Sequence, residues 1–386
     1  MPEQPSLIAT LMRPEGDTGV QTHFRTFRQW LGEQRIPHRL CTPFEAPRWQ
    51  VYPVFGLRRV VEIASKPWSV WWYRHWHAHF LKSVLRSQLS DAGPCTVYAQ
   101  CPLSAEAALS VRASAEQKVV LVTHFNVSQA DEWAGKGMLP PDHRLFNSIR
   151  RLEEQALPRV DGLVFVSQFA RRELLQRIPA VSGVPSCVLP NFVADPEPPA
   201  MDATPLGDLI CVGTLEPRKN QRYALEIIAA LAKSGTPRRL TLVGDGPDRA
   251  MLEDLAAALG VAHLVTFTGR IPGASALMAR HRAYLHTALI ESQGIVLIEA
   301  MSRGLPVFAP AVGGIPEVFD DGVQGRRIPL GDAAAAAAII AAWLADPQAM
   351  SDAASCGRAR FLEAFSTDAV AGRLASFLRA PRGADA

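Results

Sequence analysis

The sequence predicts an α/β chain of two doubly wound lobes. Three observations carry that expectation: short apolar runs rich in Val, helical patterns between them, and a proline-rich break that splits the alternation into two sets. The first run, LIATLM (7–12), leads into GDTGVQTHF (16–24) and an amphipathic helix. VVLVTHF (119–125) and GLVFVS (162–167) follow, each bounded by Gly, Pro or polar residues as buried parallel strands are. The break is NFVADPEPPAMDATP (191–205), where prolines remove donors and stiffen the chain, as in a linker. Beyond it come DLICVG (208–213), LTLVG (240–244), AYLHTA (283–288) and PVFAPA (306–311). Between these strands, QRYALEIIAALAKSG (221–235) and DRAMLEDLAAALG (248–260) read as helices closed by a C-terminal Gly. The division is therefore 1–190, linker 191–205, 206–360 and a C-terminal helical segment over 361–386.

Composition narrows the function classes. With 386 residues and 48% hydrophobic residues the chain can bury two sizeable cores. Forty basic residues against thirty-seven acidic ones give a formal charge of +3, so charge alone does not indicate nucleic acid. The opening MPEQPSLIATLMR lacks the basic-then-apolar pattern of a signal peptide, and no run reaches the ~18–20 apolar residues of a spanning helix. The six cysteines show no C-x-x-C and no metal-site spacing, which suits reduced, buried thiols and a cytoplasmic protein.

The most informative stretch is ESQGIVLIE, from Glu291 to Glu299, followed by AMSRGLPVFAP and VGGIPEVFDDG. If Gly294 opens a helix, its free N–H groups and dipole form a site for an anion such as a diphosphate. Helical rise would set Glu299 roughly 12 Å from Glu291, so the two carboxylates can serve groups on opposite sides of that anion. A nucleotide-sugar carries hydroxyls in both places. Lys219, with Arg218 beside it, follows a strand end and a Gly–Thr turn, so it is presented at the carboxyl edge of a parallel sheet. Gly16 and Gly19 let backbone approach a ligand closely after the first strand, although the motif is not G-x-G-x-x-G. His124 ends a Val-rich strand and either faces the ligand edge or is a satisfied core residue. His23 and Asn191 are candidates for acceptor contact. His23 reads equally as a partly buried helix residue, and Asn191 as a strand terminator.

Taken together, GDTGVQTHF (16–24), THFN (123–126), VFVSQFARREL (164–174), VLPNFVAD (188–195), LICVGTLEPRKN (209–220), LTLVGDGPDRAMLEDLAAALGV (240–261), VTFTGRIP (265–272) and ESQGIVLIE resemble, in order, the retaining glycosyltransferases of family 4. The likeness is dense over 209–330 and sparser before. It implies a GT-B fold, two Rossmann-like lobes with the ligand in a deep interdomain cleft, and a final helix that crosses back to the first lobe. It implies that Lys219 neutralises the donor diphosphate and that Glu291 supports developing positive charge at the anomeric carbon. His124 would help hold the donor sugar, and Glu299 would take the ribose hydroxyls. The amides of Gly294, Ile295 and Val296 would meet the distal phosphate, Gly244 would belong to the G-D-G-P turn, and Arg270 and Ile271 to the nucleotide-base loop. Two positions depart from the family pattern: Thr214 stands where an Arg is common, leaving Arg218 to substitute, and Gln293 stands where an aromatic is common.

No D-x-D triplet follows a suitable strand, and the Asp320-Asp321-Gly turn is explained by turn chemistry. The resemblance therefore implies metal-independent hexosyl transfer with retention, no cofactor, and a nucleoside-diphosphate sugar as co-substrate, with GDP-mannose leaning ahead of UDP-sugars. The acceptor would be a glycan or a lipid-linked intermediate of exopolysaccharide or lipopolysaccharide assembly. A small soluble acceptor, a phosphorylase or epimerase, and a non-catalytic sugar-nucleotide-binding subunit remain rivals. SKPWSVWWYRHWHAHFLKSVLRSQL (65–89) interleaves four tryptophans with basic residues, as do helices at a lipid headgroup surface, and as does aromatic packing beneath an acceptor lobe. A membrane-peripheral site of action follows from the first alternative.

Overall fold

The computed structural model of the protein describes residues 5–16, 18–196 and 206–381. Asp17, the linker stretch 197–205 and residues 382–386 lie outside the described residues. The chain forms two compact units: Met1–Pro190 together with Val370–Ala386, and Asn191–Ala369.

In the first unit β1 (Ser6–Ala9), α1 (Gly19–Glu33), β2 (His38–Cys41), α2 (Arg48–Ala64) and α3 (Lys66–Ser90) come first. They are followed by β3 (Cys95–Ala99), α4 (Pro102–Leu109), β4 (Gln117–Thr123), α5 (Gln129–Gly135), α6 (Arg144–Ala156), β5 (Gly162–Phe165), α7 (Gln168–Arg177) and β6 (Ser186–Val188). All strand pairs are parallel, in the order β2-β1-β3-β4-β5-β6, with Ile8 between Leu40 and Tyr98 and Val97 beside Val119. The middle strands are buried on both faces, which is why they read as continuous apolar runs.

The second unit holds β7 (Gly207–Val212), α8 (Gln221–Lys233), β8 (Leu240–Val243), α9 (Arg249–Ala258), β9 (Val265–Gly269), α10 (Ser275–Met278), β10 (His281–Leu285) and α11 (Ile295–Ser302). It ends with β11 (Val307–Ala309), β12 (Gly325–Arg327), α12 (Ala333–Leu344) and α13 (Pro347–Ala364). Its parallel sheet runs β12-β11-β10-β7-β8-β9, so the strand order reverses between β7 and β10. In such a sheet a ligand crevice opens outside the carboxyl ends of the two strands at the reversal. In the first unit the corresponding point lies between β1 and β3.

Two expectations shift. The terminal segment is not one helix over 361–386: α13 remains in the second unit, and α14 (Thr367–Arg379) begins after a break. At the break Val193 bridges Ser366, its amide donating to the Phe365 carbonyl at 3.2 Å, while the Ser366 hydroxyl accepts from the amide of Ala369. Ser366 thus caps a new helix, a signal that F-S-T-D-A carried. The chain rejoins the first unit at Val370, where Leu374, Phe377 and Leu378 are buried and Thr96 donates to the Leu378 carbonyl at 2.9 Å. Gly162 lies against the Phe377 ring, and an added Cβ would come within 3.2 Å of it.

The cysteines are free, but Cys356 is exposed rather than buried. Burial pushes the thiols of Cys41, Cys187 and Cys211 up to about 12. Among the described residues no single helix is long and apolar enough to cross a membrane.

Candidate active site at the carboxyl edge of the second sheet

Strand β7 ends at Val212 and β10 at Leu285, so the loops that follow, 213–220 and 286–294, emerge side by side at the strand-order reversal. The sequence places His286 and Thr287 in a strand. Ending β10 at Leu285 instead brings both into the edge loop. The two loops are stitched together: Thr287 Oγ1 donates to the Lys219 carbonyl at 3.1 Å, and the Leu289 amide donates to the Arg218 carbonyl at 2.9 Å. Lys219 is delivered by a short 3₁₀ turn, Pro217–Lys219, closed by Asn220 in the left-handed region at φ 52°. This places its ammonium in an ion pair with Oε1 of the buried Glu291.

Glu291 is held from several sides. Its carbonyl accepts from the Gly314 amide at 2.9 Å. Gly313, at φ +57°, packs so closely that an added Cβ would collide with that carbonyl. This gives the G-G-I-P-E turn its place: it is the backbone floor of the Glu291 loop. His286 Nε2 stands 3.5 Å from Glu291 Oε1, and His286 Nδ1 lies 3.4 Å from the Tyr284 hydroxyl. Burial alone would push the Glu291 carboxyl up, but Lys219, His286 and Arg218 outweigh it and hold the group well below the usual carboxylate range. Burial, helped by Lys219 and Arg218 and opposed by Glu291, keeps His286 below 6.5, hence neutral at neutral pH.

Gly294, at φ +88°, turns the chain into α11, so the helix-start expectation holds. Glu291 itself lies in the loop. The eight-residue helical spacing to Glu299 is therefore not a helix rise, and only the run from Ile295 to Glu299, roughly 6 Å, is helical. The first-turn amides of Ile295 and Val296 have no carbonyl of their own helix to meet. Glu299 is half-buried on α11. Gln293 is 2% exposed and its Oε1 accepts from both the amide and the Nδ2 of Asn191, at 2.7 and 2.8 Å. Asn191, expected near an acceptor, is thus a support for the Gln293 loop in the second unit.

The G-D-G-P turn packs on the other side of the 213–220 loop. Gly244, at φ +144°, and Gly246 approach it so closely that a Cβ on either would collide with the carbonyls of Gly213 and Leu215. Thr214 is exposed and its carbonyl accepts from Gln221 Nε2 at 2.9 Å. Arg218, expected to substitute for an Arg at 214, pairs with Glu216 at 2.6 Å, a partner two residues beyond Thr214. Arg270 is exposed at the end of β9, and Ile271 packs on the core beneath.

The first unit carries a different edge. Gln21 organises the loop after β1, donating to the carbonyls of Arg13 and Glu15 at 3.0 and 2.9 Å and bonding with Thr18. An added Cβ at Gly16 would collide with that amide, and Gly19 is the first residue of α1. His23 is 2% exposed, bonds to the Tyr98 hydroxyl at 2.8 Å and meets the His124 ring edge-on at 4.8 Å. It is a core strut beneath His124 rather than an open contact, and burial with the nearby His124 holds its pKa well down. His124, one residue past β4, is half-buried with Nε2 3.2 Å from Gln100 Oε1. His75, His77 and His79 do not converge: His77 is stacked on Phe55 and buried, while the other two are exposed. Among the described residues no three His, Cys, Asp or Glu side chains cluster as metal ligands.

Sequence reasoning passed over His286, Thr287, Gly313, Gln100 and Gln21. Only His286 had a usable signal, as a polar residue closing a Tyr-Leu strand; the others act through contacts distant in the chain.

Comparison with known proteins agrees with this arrangement. Residues 205–360 match the family described as glycosyl transferases group 1, and residues 18–195 match glycosyltransferase family 4. A GDP-mannose-dependent alpha-(1-6)-phosphatidylinositol monomannoside mannosyltransferase of Mycolicibacterium smegmatis is 27% identical, across 98% of this chain and 99% of that protein. A 2-deoxystreptamine glucosyltransferase of Streptomyces kanamyceticus is 30% identical over 42% of each chain. Sucrose-phosphate synthase from Thermosynechococcus elongatus superposes with a TM-score of 0.75 at 19% identity over 98% of both chains. Anabaena HepE in complex with UDP-glucose does so with 0.70 at 18%, over 97% and 99%. With matches to both halves and two parallel Rossmann-like sheets, the chain belongs to the family 4 glycosyltransferases and has the GT-B fold.

Proposed function

We propose that the protein transfers a mannosyl group from GDP-mannose to a hydroxyl of a lipid-linked or oligosaccharide acceptor, with retention and without a metal ion. The observation that carries the reading is the Lys219–Glu291 pair at the strand-order reversal, beside the Gly294 helix start. A diphosphate at this edge meets an ammonium and the α11 amides together, which offsets its charge without a metal ion. The lean towards GDP-mannose is supported by the similarity to the Mycolicibacterium mannosyltransferase along nearly the whole chain. The phosphatidylinositol monomannoside in that relative's name supports a lipid-linked acceptor here.

Glu291 is held so strongly as an anion that it is a weak proton acceptor. Its role is electrostatic: a fixed negative charge facing the positive charge that develops as the anomeric carbon–diphosphate bond breaks. The acceptor oxygen bonds to the same face of that carbon, and its proton passes to the departing diphosphate, whose charge Lys219 has steadied. His286, neutral and against Glu291, orients that carboxylate. His124 and Gln100 form a polar edge in the first unit, suited to sugar hydroxyls.

The test is product analysis with GDP-mannose, UDP-glucose and UDP-N-acetylglucosamine, each with phosphatidylinositol mannoside, polyprenyl-diphosphate-glycan and aminocyclitol acceptors in EDTA. An α-linked mannosyl product on a lipid-linked acceptor supports the reading. A product only on the aminocyclitol, strict dependence on added Mg²⁺, or an inverted anomer removes the corresponding part of it.

A further inference from the structure

Residues 65–89, where lipid contact and aromatic packing stood as alternatives, form α3, and Val70, His77, Phe80, Leu81 and Leu85 are buried on it. Arg74 is buried there as well. Its guanidinium is one of three charged groups, each from a different helix, that converge on a single loop. Glu153 of α6 is fully buried, and Arg177 of α7 pairs with its Oε2 at 2.7 Å. The two side chains of this pair are 11% and 0% exposed. Every other ion pair among the described residues of the first unit has a side chain at least 30% exposed.

The pair does more than join two helices. Glu153 Oε1 accepts from the Gln129 amide at 2.8 Å, and the Ser128 side chain hydrogen-bonds the same carboxyl. Arg177 Nε donates to the Val127 carbonyl at 3.1 Å, and Arg74 Nη1 donates to Gln129 Oε1 at 3.0 Å. Residues 127, 128 and 129 are therefore all gripped, beginning three positions beyond His124. At its other end the loop leaves β4 at Thr123, so the stretch that carries His124 is anchored on both sides, with Phe125 and Asn126 buried between the anchors.

Energetics point the same way. A buried ion pair is often no more stabilising than apolar side chains of similar volume. Here Arg177 Nη1 is also left buried with no hydrogen-bond partner, which adds a desolvation cost. What the pair supplies is direction, because hydrogen bonds to a loop backbone are geometrically sound only over a narrow range of loop conformations.

We propose that Glu153 and Arg177 are positioning residues for the transfer reaction: by clamping 127–129 they set where the His124 ring is presented, without touching either substrate. The inference rests on the reading of His124 as a contact for sugar hydroxyls. It separates two roles within one unit, a polar contact at the sheet edge and a buried charge pair beneath it that aims the contact.

Removing one partner alone strands a buried charge and endangers folding, so the test replaces both, Glu153→Met with Arg177→Leu. Thermal unfolding, calorimetric GDP binding, steady-state transfer and amide hydrogen exchange are compared with wild type. Expected results are a folded protein, unchanged GDP affinity and a ~10-fold lower kcat, inside the ~10²-fold that about 1 Å of misplacement can cost. Exchange over 124–129 should quicken while β4 stays protected. Adding His124→Ala should lower kcat no further than His124→Ala alone does, since both losses run through one side chain. Arg177→Lys keeps the charge and gives up the Val127 contact; should the double variant not fold, it enters the same cycle, with a several-fold loss that vanishes when His124 is already Ala. The proposal is overturned if the folded variant turns over at the wild-type rate, if its loss multiplies with that of His124→Ala, or if exchange over 124–129 is unchanged. A wild type that makes no product with any donor removes the proposed reaction instead, and hydrogen exchange still decides whether the pair holds the loop.

Discussion

The carboxyl edges of the two sheets are built from the same parallel architecture and carry opposite chemistry. In the second unit the edge is charged: Lys219 faces Glu291, Arg218 pairs with Glu216, and His286 stays neutral among them. In the first unit the edge is polar: His23, Tyr98, His124 and Gln100 form hydrogen bonds and ring contacts, and burial holds the His23 pKa down. A buried charge persists only when paired, and an unpaired one is costly to leave behind. One edge is therefore organised to exchange an internal ion pair for contact with an external anion. The other offers a polar surface of hydrogen-bonding side chains.

Breaking the charged edge should have the largest effect. Glu291→Gln and Lys219→Ala are each expected to lower kcat by ~10³-fold, the scale of losing a preorganised electrostatic contact. His124→Ala, at the polar edge of the first unit, should cost only ~100-fold, the low end of the range for a single acid–base group. Steady-state rates with GDP-mannose decide this, and equal losses at both edges would erase the contrast. Next comes Gly313→Ala, which forces a Cβ onto the Glu291 carbonyl at φ +57°. Strain of this kind costs about 1–3 kcal/mol, so a lowered Tm is expected together with a fall in kcat. A Tm change with full activity would separate the turn from the site.

Smaller effects concern pH. His77 is buried and its pKa is pushed down to about 3 from 6.5. The folded state therefore resists a proton that the unfolded chain takes up, and stability declines as pH falls below 6.5. The slope attributable to this residue approaches 1.4 kcal/mol per pH unit, about one proton's worth. In His77→Phe, denaturant unfolding between pH 6.5 and 4 should show a shallower decline. His286→Asn is expected to have the mildest consequence, a several-fold fall in kcat with little change in KM, because it removes an orienting neighbour of Glu291 and no charge.

Much of the second unit was legible in sequence because its chemistry is local. Lys219 follows its strand within seven residues, Gly294 opens its helix one residue on, and strand and helix periods mark the rest. What could not be read depends on contacts between distant segments. Gly313 is needed because of Glu291, twenty-two positions earlier, and Asn191 supports Gln293 across a hundred positions. His23 looked available because its partner Tyr98 lies two strands away. The Glu153–Arg177 pair escaped notice because both residues stand in charge-rich helical stretches, where a solvated face is the ordinary reading; only their shared grip on residues 127–129 sets them apart.

The most direct test of the charged edge is calorimetric titration of GDP in EDTA into wild type, Lys219→Ala and His124→Ala. The account predicts micromolar binding to wild type, at least ~30-fold weaker binding to Lys219→Ala, a loss of about 2 kcal/mol consistent with one charge-assisted contact, and little change in His124→Ala. Binding that survives Lys219→Ala unchanged would contradict the assignment of this edge as the diphosphate site.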